Sequence, residues 1–197
     1  MNAFTLRFIG SQLSKKGWRV EYYNYSSMFT SFEQNVDGLH AFWLTHSSAD
    51  THLVGHSLGG LLVLAMMEKY KLRALPRTVL MGSPVQGSAV AKKMSLSRWG
   101  RFLLGESMTA LIAGRRNTQN NKIGVIAGNR GIGIGHLIQT LPEPHDGVVA
   151  VEEAKLDAED QVGPPLTVLP VTHASMLLSK KVVSAIDRYL SVGRFGS

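Results

Sequence analysis

The stretch from Thr51 to Met67 constrains the fold more than any other part of the chain. Thr51-His52-Leu53-Val54 reads as a short strand, Gly55-His56-Ser57-Leu58-Gly59 as a glycine-flanked turn, and Leu61 to Met67 as a run with no polar interruption. A helix without a polar face must be buried, so the strand that leads into it by so abrupt a turn must be buried too. This predicts a strand-turn-helix unit inside a layered domain.

The remainder repeats the alternation. Lys16-Gly17 is a helix-stop signal that closes a helix over about residues 3 to 16, and Arg19-Val20-Glu21-Tyr22-Tyr23-Asn24 has the composition of a strand. Phe32, Val36, Leu39 and Trp43 recur at helical spacing, and Arg77 to Met81 returns as a strand ending at Gly82-Ser83-Pro84. Two further strands are expected at Ile123 to Ile126 and Leu166 to Leu169, each apolar enough to be central, before a last helix with Leu178, Val182, Ile186 and Leu190 on one face. Residues 86–121 carry no strand pattern and hold Trp99, Phe102, Leu103, Leu104 and Met108 among basic residues, which predicts a helical cap insertion. The expected fold class is therefore α/β: one domain over residues 1–197 with a mainly parallel central sheet, helices on both faces, and ligands bound beyond the carboxyl ends of the strands.

Composition narrows the chemistry. The chain has no cysteine, which excludes disulfides, thiolate metal sites and cysteine nucleophiles. No His-x-x-x-His pair occurs, and the glycines from Gly128 to Gly135 lack both a Lys-Ser/Thr ending and a G-x-G-x-x-G pattern, so neither metal nor cofactor is expected. The net charge of +7 is concentrated between Lys92 and Arg130, where eight basic residues (Lys92, Lys93, Arg98, Arg101, Arg115, Arg116, Lys122, Arg130) face one acid, Glu106. That segment leaves peripheral contact with an anionic membrane open; nucleic acid is disfavoured against a solvated helical cap. No run reaches the roughly 18 apolar residues of a membrane span, and the start lacks a basic-then-apolar leader, so a cytoplasmic chain or a trimmed fragment is expected.

Ser57 is the candidate nucleophile. A serine hydroxyl needs a base to take its proton and a tight turn to expose it, and flanking glycines remove the side chains such a turn would clash with. The bare G-x-S-x-G pattern is weak evidence; a strand before it, an apolar helix behind it and Gly60 at the point of close approach strengthen it. The Leu58 N–H, at the positive end of that helix, is the expected first donor to an oxyanion.

Acid and base are expected on loops after later strands, in the order serine, acid, histidine. Of the seven histidines, His173 alone follows the last expected strand. His56 adjoins Ser57, but neighbours on a sharp turn point apart; His40, His46 and His52 precede the nucleophile. Asp146, in Pro144-His145-Asp146-Gly147-Val148-Val149, is the candidate acid, with Glu152, Glu153, Asp157 and Asp160 as rivals in an acidic stretch that reads as a solvated face.

Four segments together, Gly55-His56-Ser57-Leu58-Gly59-Gly60, Gly82-Ser83-Pro84-Val85-Gln86-Gly87-Ser88, Asp146-Gly147-Val148-Val149 and Thr172-His173, resemble bacterial lipase-like and esterase-like α/β-hydrolases, near triacylglycerol lipases and GPI inositol-deacylase-like proteins. The resemblance implies an α/β-hydrolase fold and a small acyl ester as substrate. It also implies that Ser57 is the nucleophile, Asp146 the acid and His173 the base, and that Ser83 and Pro84 line the substrate site. Such proteins open with a strand and a His-Gly loop whose backbone N–H is the second oxyanion donor, and no His-Gly dipeptide occurs here. The chain thus reads as N-terminally shortened, with weak activity and self-association through the bare edge of the strand at 19–24 as expected consequences.

Overall fold

A computed structural model describes residues 3–27, 29–72, 76–97, 105, 108–114, 122–131, 141–157 and 165–196. A 3₁₀ turn, Ala3–Leu6, leads into α1 (Arg7–Ser14), followed by α2 (Phe32–His46), β1 (Leu53–His56), α3 (Leu58–Tyr70), β2 (Thr78–Met81), α4 (Ala89–Met94) and α5 (Met108–Ala113). The chain then forms β3 (Ile123–Gly128), α6 (Val151–Ala154), β4 (Leu166–Leu169), a second 3₁₀ turn, Ser175–Leu178, and α7 (Lys180–Val192).

All the strands are parallel, in the order β1-β2-β3-β4. A parallel sheet needs a covered face on each side, and two apolar clusters supply them. Leu80, Val125 and Ala127 project into a cluster with Val36 of α2 and Leu61 to Met67 of α3. Val79, Met81 and Ile126 project oppositely, onto Ile9 and Leu13 of α1 and Val182, Ile186 and Leu190 of α7. The period-2 alternation of β2 and β3 therefore assigns each helix to a face.

Local chemistry sets the helix limits. Ser31 caps α2 in a reciprocal box with Gln34, each backbone N–H donating to the other side chain at 3.1 Å. Ser179 caps α7, which ends at Gly193 with φ of 77°. The uninterrupted run of α3 is buried from Leu58 to Met67 apart from Gly59. Among the described residues no helix is long and apolar enough to cross a membrane.

Two expectations about the sheet need correction. Leu166 to Leu169 forms an edge strand and not a central one; Val168 on it is 39% exposed. Arg19 to Asn24 forms no ladder, although its side chains alternate as a strand's do, Val20 packing with the α1 and α7 cluster and Tyr23 with the α2 and α3 cluster. A strand is defined by its partner, and no described strand lies within hydrogen-bonding distance of this segment. In the stretch from 86 to 121, the Ser88 N–H donates to the Leu111 carbonyl at 2.9 Å, joining α4 to α5. Trp99, Phe102, Leu103, Leu104, Arg98, Arg101, Glu106, Arg115 and Arg116 lie outside the described residues.

Candidate active site

The carboxyl ends of β1, β2, β3 and β4 lead to Ser57, Gly82, Asp146 and His173 respectively. Ser57 stands between β1 and α3 with φ of 55° and ψ of −126°, a conformation in which only glycine is unstrained. It is held there because the Ser57 N–H donates to the Met81 carbonyl of β2 at 2.9 Å while the Gly60 N–H takes the Ser57 carbonyl at 3.1 Å. The turn is possible only because strand and helix nearly touch: a Cβ on Gly55 would stand 2.6 Å from the Gly60 Cα. Such strain, fixed from both flanks, projects the hydroxyl away from the backbone.

Asp146 and His173 are brought together as the sequence predicts. The His173 Nδ1–H donates to Asp146 Oδ2 at 2.8 Å, and the His173 backbone N–H donates to the Asp146 carbonyl, also at 2.8 Å. The other carboxylate oxygen accepts from the backbone N–H groups of Val148 at 2.9 Å and Val149 at 2.8 Å. Asp146 is 1% exposed, so this buried charge is compensated at both oxygens. The donor at Nδ1 leaves Nε2 of a neutral His173 as an acceptor, the state a general base requires. No Ser57 Oγ hydrogen bond to His173 is formed; catalytic hydrogen bonds often tighten only around bound substrate.

The rival acids are engaged elsewhere. Glu153 accepts from the Ala89 and Ala150 backbone N–H groups at 2.7 and 2.9 Å, Glu152 pairs with Lys155, and Asp157 accepts from Gln86. Asp160 lies outside the described residues. The upstream histidines are stacked on aromatic rings, His40 on Tyr70, His46 on Phe42 and His52 against Trp18.

Three contributors escaped sequence reasoning. His56 is 4% exposed, its ring 4.6 Å from that of His173, and its Nε2–H donates to the His173 carbonyl at 3.2 Å. Burial, reinforced by nearby His173, pushes its pKa down to about 3, so it is a neutral strut under the base. Gly82, with φ of 52°, leaves the room in which the acid and base meet: a Cβ there would stand 3.0 Å from His173 Nδ1 and 3.1 Å from Asp146 Oδ2. His145 is 1% exposed and accepts the Gly147 N–H at Nδ1, with Nε2 at 3.1 Å from a Glu143 carboxylate oxygen, bracing the turn that presents Asp146. The glycine before a proline-bearing loop was a readable signal for Gly82; nothing local marked either histidine.

Ser83 and Pro84, expected against substrate, are both buried. Ser83 is 0% exposed and packs on Gly60 and Leu80, with no hydrogen-bond partner for its hydroxyl. This pair sits beneath the site and not at its opening. Leu58 lies where its role requires: it is the first residue of α3, so its N–H has no carbonyl partner within the helix.

The same architecture is found in solved structures. A lipase of Bacillus licheniformis in its mature form superposes with a TM-score of 0.64 at 15% identity, over 98% of this chain and 87% of its own. A meta-cleavage product hydrolase of Pseudomonas fluorescens gives 0.61 at 16%, over 98% and 87% of the two chains. The type II thioesterase of the borrelidin biosynthetic cluster gives 0.57 at 15%, over 97% and 87%. Neither a family model nor a curated protein sequence matches. The chain has the α/β-hydrolase fold.

Proposed function

We propose that the chain is a serine hydrolase that cleaves carboxylic esters through an acyl-enzyme on Ser57. The observation that carries this reading is the His173 Nδ1 to Asp146 Oδ2 bond of 2.8 Å beside a serine at φ of 55°. His173 Nε2 takes the Ser57 proton as Oγ attacks the carbonyl carbon, and the Leu58 N–H stabilises the resulting oxyanion. The imidazolium, steadied by Asp146, returns its proton to the departing alkoxide, which leaves as an alcohol. Water then attacks the acyl-enzyme, His173 takes its proton, and the carboxylate departs as Ser57 Oγ is reprotonated. Thioesters or acyl transfer to another alcohol would use the same groups, and the thioesterase likeness makes them the nearest variants.

A second reading, a binding or scaffold protein with an impaired site, is favoured by one observation: a single backbone donor, Leu58, stands at the oxyanion position among the described residues. A fluorophosphonate probe separates the two readings. Labelling that disappears in Ser57→Ala supports the hydrolase; well-folded protein that never labels supports the scaffold.

A further inference from the structure

Beside the elbow, the sheet stops at an edge that has the makings of a ladder. Leu53 N–H donates to Arg77 and Ser57 N–H to Met81, both on the β2 side. Successive residues of a strand turn their backbone groups to opposite sides, so those of Val54 and His56 point away from β2. No described residue receives them.

Across from this edge runs the segment that lacks a ladder. The Trp18 ring lies 5.6 Å from that of His52, just ahead of β1, and the Tyr25 hydroxyl lies 3.6 Å from where a Gly59 Cβ would stand, just past it. Residues 18–25 therefore run in the same direction as β1. Val20 and Tyr22 lean toward α1, Tyr22 over Gly10, while Tyr23 reaches α2, where its hydroxyl donates to the Asn35 carbonyl. Both sides of a missing ladder are present.

Between them lies a cavity of about 590 Å³. Its edges are β1 and residues 18–25; Ile9 and Leu13 of α1 wall one face, and Phe42, Trp43 and Leu62 of α2 and α3 the other. Apart from histidines, the charged residues lining it are Arg19, Glu21 and Asp50, and Arg19 is paired with Glu21 at 3.0 Å. With so little net charge, the cavity offers no complement to phosphate or carboxylate, despite the chain's +7. An acyl chain would cover the two apolar faces but leave both edges unpaired, at about 1–3 kcal/mol for each buried polar group. A single polypeptide strand, apolar on both faces, satisfies edges and faces together.

We propose that the slot between β1 and residues 18–25 is a docking site for one extended, uncharged, apolar strand from outside residues 1–197, added parallel to β1. The strand's carboxyl end then emerges beside Ser57 and Leu58. On the serine-hydrolase reading, and resting on it, the next backbone N–H of that strand is the second oxyanion donor. The occupant completes the sheet and the site at once.

The test uses a blocked synthetic peptide, Lys-Lys-Val-Ile-Val-Val-Thr-Gly, with a control N-methylated at alternate residues so that it cannot pair with one edge. Saturable slowing of amide exchange at Val54 and His56 by the first peptide and not by the control supports the proposal. Fluorophosphonate labelling of Ser57 should then rise by about 10²- to 10³-fold, the worth of one oxyanion donor. Slowed exchange without faster labelling upholds the docking and overturns the second-donor role; Ser57→Ala should still dock the peptide, so docking is judged apart from catalysis. Amides already protected in the isolated chain, protection that appears only with self-association, or equal protection by the control or by dodecanoate would each overturn the proposal, assigning the slot to this chain, a second copy or a lipid.

Discussion

Replacing Asp146 by Asn tests the candidate site most sharply, because the surroundings dictate which way the amide must turn. Oδ1 accepts from two backbone donors, Val148 N–H at 2.9 Å and Val149 N–H at 2.8 Å. The Asn carbonyl must keep that position, since an NH₂ facing two N–H groups would bury four hydrogens against one another. The NH₂ is thereby forced toward His173 Nδ1, the atom now 2.8 Å from Oδ2. Nδ1 becomes an acceptor, the imidazole proton moves to Nε2, and the base presents a hydrogen to a serine that needs a lone pair. An inverted tautomer of this kind costs about 10⁴ in kcat, which is roughly 5.4 kcal/mol at 1.36 kcal/mol per decade.

The stability cost is far smaller. Two charge-assisted bonds become neutral ones, a loss of about 1–2 kcal/mol, and Tm falls by about 2–8 °C for a domain of this size. Second-order fluorophosphonate labelling gives the rate, and thermal unfolding followed by circular dichroism gives the stability. A variant that labels within tenfold of the parent, with Tm within this range, would refute the assignment of Asp146 as the partner of His173.

Two other substitutions probe what the sequence misplaced. Ser83→Ala removes a buried hydroxyl that has no partner, so it should raise stability by up to about 1 kcal/mol, or Tm by about 2–4 °C; a large change in KM for an acyl ester with no gain in Tm would instead put Ser83 against substrate. His56→Gln should flatten the acid limb of stability. In the folded chain His56 titrates near 3 against an ordinary value of 6.5, so between those pH values the unfolded state binds the extra proton, and stability falls as pH drops below 6.5. The slope approaches 1.4 kcal/mol per pH unit, and urea midpoints at pH 7.5 and 5.5 that move equally in parent and variant would remove this account.

What the sequence revealed and what it hid follow from the range of the interactions involved. β1, α3 and the elbow were legible because a short strand, paired glycines and an unbroken apolar run lie next to one another. The order of Ser57, Asp146 and His173 was legible because each sits just past a strand. Sheet pairing is not a local property: Arg19 to Asn24 has strand composition but no described neighbour, and Leu166 to Leu169 has the apolarity of a central strand yet lies at the edge. His56 was correctly excluded as the base, but its bond to the His173 carbonyl crosses 117 positions of sequence and leaves no pattern. Ser83 was assigned to the site because its loop adjoins it; only packing against Gly60 shows which way the side chain faces.

The strain at Ser57 costs of order 1–3 kcal/mol and must be imposed by its surroundings. From β2 comes the bond of Ser57 N–H to Met81; on the far side, β1 faces the slot and receives nothing from described residues. The close seat of α3 on the sheet therefore carries much of the burden, and Gly60 is its contact point. A Cβ at Gly60 would lie 2.8 Å from Ser83 Cβ and 3.2 Å from Leu80 Cδ2, so Gly60→Ala must lift the start of the helix at about 1–3 kcal/mol. The gain in helix propensity, about 1 kcal/mol, does not offset the upper part of that range. In a Ser83→Gly background the nearest obstacle is gone and the propensity gain should dominate, so the same substitution should become neutral or stabilising. Because lifting α3 also moves the Leu58 N–H, labelling of Ser57 should fall in Gly60→Ala and recover in the double variant. Equal stability losses in both backgrounds, by urea unfolding, would show that the elbow is held by something other than this contact.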